Sequence, residues 1–178
     1  MNDEFPEEFE DERRFFLKDK TIVQGAEWEM ITQAYVFGME GYAIRVRRTQ
    51  DPIPQSAELT EGRAWLTGKG PRFGPRREEY EKEVSVLWAD QVIARCADVI
   101  RKRRYRVITN QTWDIDEFLD QNEGLWIAEL EGKKEIYTVS MPEWCRSEIV
   151  DDARFNNEVL AARPILTWPD GEGDSYLI

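Results

Sequence analysis

Histidine is absent from this chain. That removes the Ser-His-Asp and Cys-His nucleophilic arrangements, the His-containing zinc sites and the commonest general base. Only two cysteines occur, Cys96 and Cys145. They are too few for a disulfide framework and are not spaced as a metal knuckle, so they read as buried thiols in a reducing, cytoplasmic setting. Any bound metal must then be held by oxygen, as Mg²⁺, Mn²⁺ and Ca²⁺ are. No apolar stretch approaches the roughly 20 residues of a membrane-spanning helix. The first residues are acidic, with no basic segment leading into an apolar one, so neither a membrane partner nor a secretory leader is expected. Gly68, Gly70 and Gly74 match neither phosphate-loop pattern and read as part of a hairpin loop. Positive charge is in deficit as well: 24 Lys and Arg against 36 Asp and Glu leave a net charge of −12, which opposes nonspecific binding to nucleic acid.

What the chain does have is charge spaced two residues apart. Glu10, Glu12 and Arg14 form one such run; Arg45 and Arg47, Arg77, Glu79 and Glu81, Lys102 and Arg104, and Glu129 and Glu131 form the others. In a β-strand residues i and i+2 share a face, so each run sends its charges to one side. The intervening residues are often apolar: Val46 separates Arg45 from Arg47, Tyr80 separates Glu79 from Glu81, and Leu130 separates Glu129 from Glu131. One run alone is the wet face of an ordinary antiparallel sheet. Five runs mixing carboxylates with guanidinium and ammonium groups point to a shared polar interior, suited to a metal-bound polyanion.

The length fits one domain over 1–178, with 1–8 and 168–178 as loose ends unless Trp168 and Tyr176 dock the tail. Alternation and turn signals predict strands at 9–17, 28–37, 42–49, 63–69, 76–84, 99–109, 112–118 and 124–132. A helix capped by Ser85 is expected over 86–97, and a short one capped by Asp152 over 153–162. The fold class that follows is α+β, a closed eight-stranded antiparallel β-barrel with flanking helices, because closure removes the exposed edges of so large a sheet.

Ordered motifs over about 9–164 resemble the CYTH superfamily, the triphosphate tunnel metalloenzymes, which include inorganic triphosphatases, thiamine triphosphatases and class IV adenylate cyclases. The E-x-E-x-K signature is met by Glu10, Glu12 and Arg14, Q-x-Y by Gln33 and Tyr35, and R-x-R by Arg45 and Arg47. L-T-x-K-G reads Leu66 to Gly70, R-x-E-Y-E reads Arg77 to Glu81, and K-x-R-Y reads Lys102 to Tyr105. W-x-x-D-x-F spans Trp113 to Phe118 and G-L-x-x-A-E-x-E spans Gly124 to Glu131. Pro142, Trp144, Glu148 and Asp152 complete the set. Three positions depart from the pattern. Arg14 replaces a Lys, keeping the charge but not the ability to act as a base; Val150 replaces a Thr; Gly68 stands where a β-branched residue is usual.

The resemblance implies a tunnel that binds a small-molecule triphosphate with Mg²⁺ or Mn²⁺ and hydrolyses its terminal phosphoanhydride. Arg14, Arg45, Arg47, Lys69, Arg77, Lys102 and Arg104 are the substrate-binding candidates. Glu10, Glu12, Glu79, Glu81, Glu129 and Glu131 are the candidate metal ligands. Glu10, Glu12, Arg14, Lys102, Glu129 and Glu131 are expected to carry the catalysis. An adenylate cyclase or a noncatalytic triphosphate sensor would use the same cradle, and a homodimer is left open.

Overall fold

The computed structural model describes residues 11–40, 42–73 and 76–178, and of residues 11, 72, 73, 76–78 and 134 the backbone alone. Nine strands are present: β1 Asp11–Leu17, β2 Glu27–Met39, β3 Tyr42–Gln50, β4 Arg63–Phe73, β5 Arg76–Val84, β6 Val99–Ile108, β7 Thr112–Phe118, β8 Trp126–Gly132 and β9 Cys145–Ile149. They form one antiparallel sheet in the order β5-β4-β3-β2-β6-β7-β8-β1-β9. The eight strands expected from the sequence each occur, with ends shifted by up to four residues. The ninth, β9, has buried residues only at its two ends and exposed ones between, so it carries no alternation to read.

The sheet is not the closed eight-stranded barrel expected. Among the described residues β5 pairs only with β4, and β9 only with β1. The physical reason lies just after β9. Asp151 adopts a left-handed φ of 50°, which turns the chain away from a strand path, and the residues that follow line a cavity instead of pairing with β5.

Two helices flank the sheet. Helix α1, Val86–Ile93, starts where Trp88 N–H donates to the Ser85 hydroxyl at 3.2 Å. It covers Val46 and Ala64 on the outer face of the sheet, held there by Arg48 Nη1, which donates to both Asp90 carboxylate oxygens at 2.6 and 2.8 Å. The second expected helix is split. Asp152 caps a 3₁₀ turn, Ala153–Phe155, by accepting from Arg154 N–H at 3.1 Å, and α2 then runs Asn157–Ala162. A continuous helix would give the Phe155 carbonyl to an N–H four residues on. Here that carbonyl accepts from the Arg14 guanidinium at 2.9 Å.

Strand alternation divides the core. Phe15, Leu17, Trp113, Ile115, Ala128 and Leu130 pack on one side of β1, β7 and β8. Phe16, Phe118 and Ile127 point to the other, where Phe155, Leu160, Ile165 and Trp168 cover them. Tyr176 packs tilted against Phe16 and edge-on against Phe155, at 5.1 and 4.9 Å between ring centres, so the tail is docked. Each such buried side chain contributes about 1.5–3 kcal/mol. No helix among the described residues is long and apolar enough to cross a membrane.

Candidate active site

The β1–β8 register sets Glu12 opposite Glu131 and Arg14 opposite Glu129. Because residues two apart share a face, Glu12, Glu129 and Glu131 each bring a carboxylate oxygen within 4.8 Å of the others. Glu10 lies outside the described residues. Glu12 is exposed to solvent, and the solvent it meets fills the cavity that it lines. Burial among protein atoms, then the charge of Glu129 and that of Glu131, push its pKa up to about 7 against the pull of Arg14 and Lys102. This is the signature of carboxylates short of counter-charge.

Glu129 is fixed from below. Arg104 donates to it and, through Nε and Nη2, to both oxygens of Asp116 at 2.8 and 2.7 Å; its Nη1 reaches Asp114 at 3.2 Å. Lys102 Nζ donates to Asp116 and lies 3.5 Å from Asn157 Oδ1. Asp116, Lys102 and Glu129 are buried, with Asp116 at 0% and Lys102 at 1% exposure, and Arg104 and Asp114 are part-buried. Burial alone would raise the Asp116 carboxyl, but Arg104 and Lys102 outweigh it and hold the pKa near 2. Lys102 is pushed down from the usual lysine range by burial and by the Arg104 charge, which outweigh its bond to Asp116.

Across the cavity stand the cations of β3 and β4. Arg45 donates to Thr67 Oγ1 at 3.3 Å, and its guanidinium lies 3.8 and 3.7 Å from Glu79 and Glu81. Its Nε is buried and has no hydrogen-bond partner among the described residues. Lys69 Nζ is 2.9 Å from Glu79. Arg47 donates to Gln33 Oε1 at 2.9 Å; burial, then its neighbours Arg45 and Arg104, hold its pKa below the usual guanidinium range. Glu12, Arg14, Arg45, Lys69 and Glu129 line one cavity of about 710 Å³, whose rim includes Asp152 and Asn156.

The structure thus sorts the residues singled out from the sequence. Glu12, Glu129 and Glu131 come together, whereas Glu79 and Glu81 sit with Arg45 and Lys69. Lys102 and Arg104 are engaged beneath the cavity. The side chain of Arg77 is outside the described residues, and its backbone faces Arg72 in the β4–β5 ladder. Arg14 lines the cavity while donating to Phe155 O and, at 3.0 Å, to Asn156 Oδ1. Asp114 and Asp116 are not among the site candidates read from the sequence, though they follow the same two-apart spacing on β7 and Asp116 is the aspartate of the W-x-x-D-x-F motif. Asn156 had no such signal, because its place depends on the turn after β9.

One antiparallel sheet thus sets clustered carboxylates and the cations Arg14, Arg45 and Lys69 around a single cavity. No family model matches the chain. It is 32% identical over 156 residues to an inorganic triphosphatase of Acetivibrio thermocellus, spanning 86% of this chain and 93% of that one. The chain belongs to the CYTH, or triphosphate tunnel, family. The crystal structure of an inorganic triphosphatase superposes with a TM-score of 0.63 at 20% identity, over 90% of this chain and 96% of the other. A structure of a hypothetical protein gives 0.63 over 85% and 97%. Both show the same fold.

Proposed function

We propose that this protein hydrolyses the terminal phosphoanhydride of inorganic triphosphate with the help of a divalent cation. The observation that carries the reading is the pairing, across one cavity, of the Glu12–Glu129–Glu131 cluster with Arg45 and Lys69. The kinship with an inorganic triphosphatase supports the choice of substrate.

The donor set suits a hard cation. Three carboxylate oxygens converge, and the raised pKa of Glu12 marks a charge that its neighbours leave uncompensated. Mg²⁺ or Mn²⁺ held by these three residues would supply charge neutralisation and acidify a water for attack. The remaining work falls to the protein. Arg45 and Lys69 bind phosphate oxygens, and the unpartnered Nε of Arg45 adds a donor already buried. Arg104, tied to Asp116, keeps Glu129 from swinging away. Water adds to the terminal phosphorus, the bond to the bridging oxygen breaks, and orthophosphate and pyrophosphate leave, with the water's proton passing to solvent or product. Arg45 and Lys69 take up negative charge that builds on the departing oxygens.

The test is phosphate release from tripolyphosphate. Activity is expected with Mg²⁺ or Mn²⁺ and none in excess EDTA. Glu131→Gln should lower kcat at least about tenfold, a loss of about 1.4 kcal/mol of transition-state stabilisation. Full turnover in chelator would sink the metal assignment; tight tripolyphosphate binding without product would leave a sensor.

A further inference from the structure

The first turn of α2 adds a charge to the cavity that the hydrolytic steps above do not use. Glu158 lines the cavity together with Tyr35 and Ala43. Other carboxylates on the cavity wall are matched within the chain: Asp152 by Arg154 and Glu148 by Arg13, each at 2.7 Å. Glu12, Glu129 and Glu131 converge as a cation would require. Glu158 is exposed and forms no hydrogen bond or ion pair among the described residues. Its charge is still felt inside. Burial first, and then the Glu158 carboxylate, raise the Tyr35 phenol against the pull of Arg45.

The place of Glu158 in the fold decides which part of a substrate it meets. Helix α2 packs on β6 and β2, with Asn157 Oδ1 3.5 Å from Lys102 Nζ on β6. In the sheet, β6 and β7 separate β2 from β8, which carries Glu129 and Glu131. Tyr35 lies opposite Arg45 in the β2–β3 ladder. Glu158 therefore stands with the cations that take phosphate and away from the carboxylates that would hold the metal. A chain with its terminal phosphorus at the metal and its next phosphates on Arg45 and Lys69 brings a fourth phosphate to the side that Glu158 occupies. Space does not forbid this: about 710 Å³ is room for a drug-sized ligand, well above a triphosphate. Charge does. An unpaired carboxylate that repels one ligand more than another discriminates between them, because specificity is a difference of affinities.

We propose that Glu158 limits the length of the substrate, admitting tripolyphosphate and rejecting tetrapolyphosphate and longer chains by like-charge repulsion. This rests on the triphosphatase reading and adds the upper bound of its substrate class. A carboxylate in a first helical turn also favours the helix through its dipole. That effect changes stability alike with either chain bound and leaves the ratio between them untouched. Repulsion changes the ratio, and salt weakens it.

Turnover and calorimetric binding of tripolyphosphate and tetrapolyphosphate with Mg²⁺ are compared for wild type, Glu158→Gln and Glu158→Asp. Wild type is expected to favour tripolyphosphate by at least about tenfold in kcat/KM and in affinity. Glu158→Gln keeps the size of the side chain and should bring the two within about threefold by improving tetrapolyphosphate, while kcat on tripolyphosphate stays at the wild-type value. Glu158→Asp keeps the charge and should keep the preference. A wild type with no preference overturns the proposal, as does a preference that Glu158→Gln leaves intact. Binding is read separately from turnover, so a protein that binds tripolyphosphate without releasing phosphate still decides the role of Glu158. A protein that binds neither chain overturns this proposal and the triphosphatase reading together.

Discussion

Glu12 and Asp116 are both carboxylates on the concave face, yet their surroundings push them in opposite directions. Burial and Glu129 raise Glu12 to about 7. An acid whose pKa is higher folded than unfolded costs stability once charged, so metal-free protein loses stability as pH climbs from about 4.5 to about 7. Glu12→Gln removes that loss. Calorimetric scans without metal should find the variant more stable than wild type at pH 8, the difference vanishing by pH 4, with the Mg²⁺-induced stabilisation weakened. Asp116 behaves in the reverse sense. Its pKa near 2 means that its contribution is present above the unfolded value of about 4 and is lost as pH falls toward 2. Asp116→Asn leaves the buried Lys102 without its ion-pair partner and Arg104 with only Glu129 and Asp114, and should cost about 3–5 kcal/mol in urea denaturation at pH 7.

The element that completes the cavity is the connection from β9 to α2. It leaves the sheet at Asp151 and is fastened to β1 by the two bonds from Arg14 to Phe155 O and Asn156 Oδ1. A guanidinium can make both bonds and still turn a nitrogen toward phosphate; an ammonium is a single point donor. Arg14→Lys should therefore raise the KM for tripolyphosphate severalfold while kcat changes by less than about threefold. A tenfold rise in kcat at constant KM would instead assign proton transfer to this position.

For the whole molecule, folding gathers like charges into one cavity, and bound ligand should offset the cost. Mg²⁺ with tripolyphosphate at about 100 times its dissociation constant stabilises the native state by about 2.7 kcal/mol. In a chain of this length that corresponds to a rise in melting temperature of roughly 5–10 °C. Differential scanning calorimetry should show a larger shift with metal and tripolyphosphate together than with either alone, since each supplies the counter-charge of the other. No shift from the pair would argue against a triphosphate site of any kind.

Local pattern alone determined much of this protein. Alternation and turn signals located eight of the nine strands, the charged runs showed which side chains share a face in five of them, and the Ser85 cap marked the start of α1, because strand periodicity and capping act over a few residues. The charged runs contain Glu12, Glu129 and Glu131, and with the family resemblance they put these three among six candidate ligands. What it could not supply was partner choice. Glu79 and Glu81 follow the same spacing as Glu129 and Glu131, but strand order, set by packing between distant segments, sends one pair to Arg45 and Lys69 and the other to the carboxylate cluster. Asp116 became the anchor of Lys102 and Arg104 only through the β6–β7 register. The open edge between β5 and β9 was likewise decided in three dimensions, where a left-handed turn at Asp151 and the grip of Arg14 on Phe155 and Asn156 outweigh the tendency of a large sheet to close.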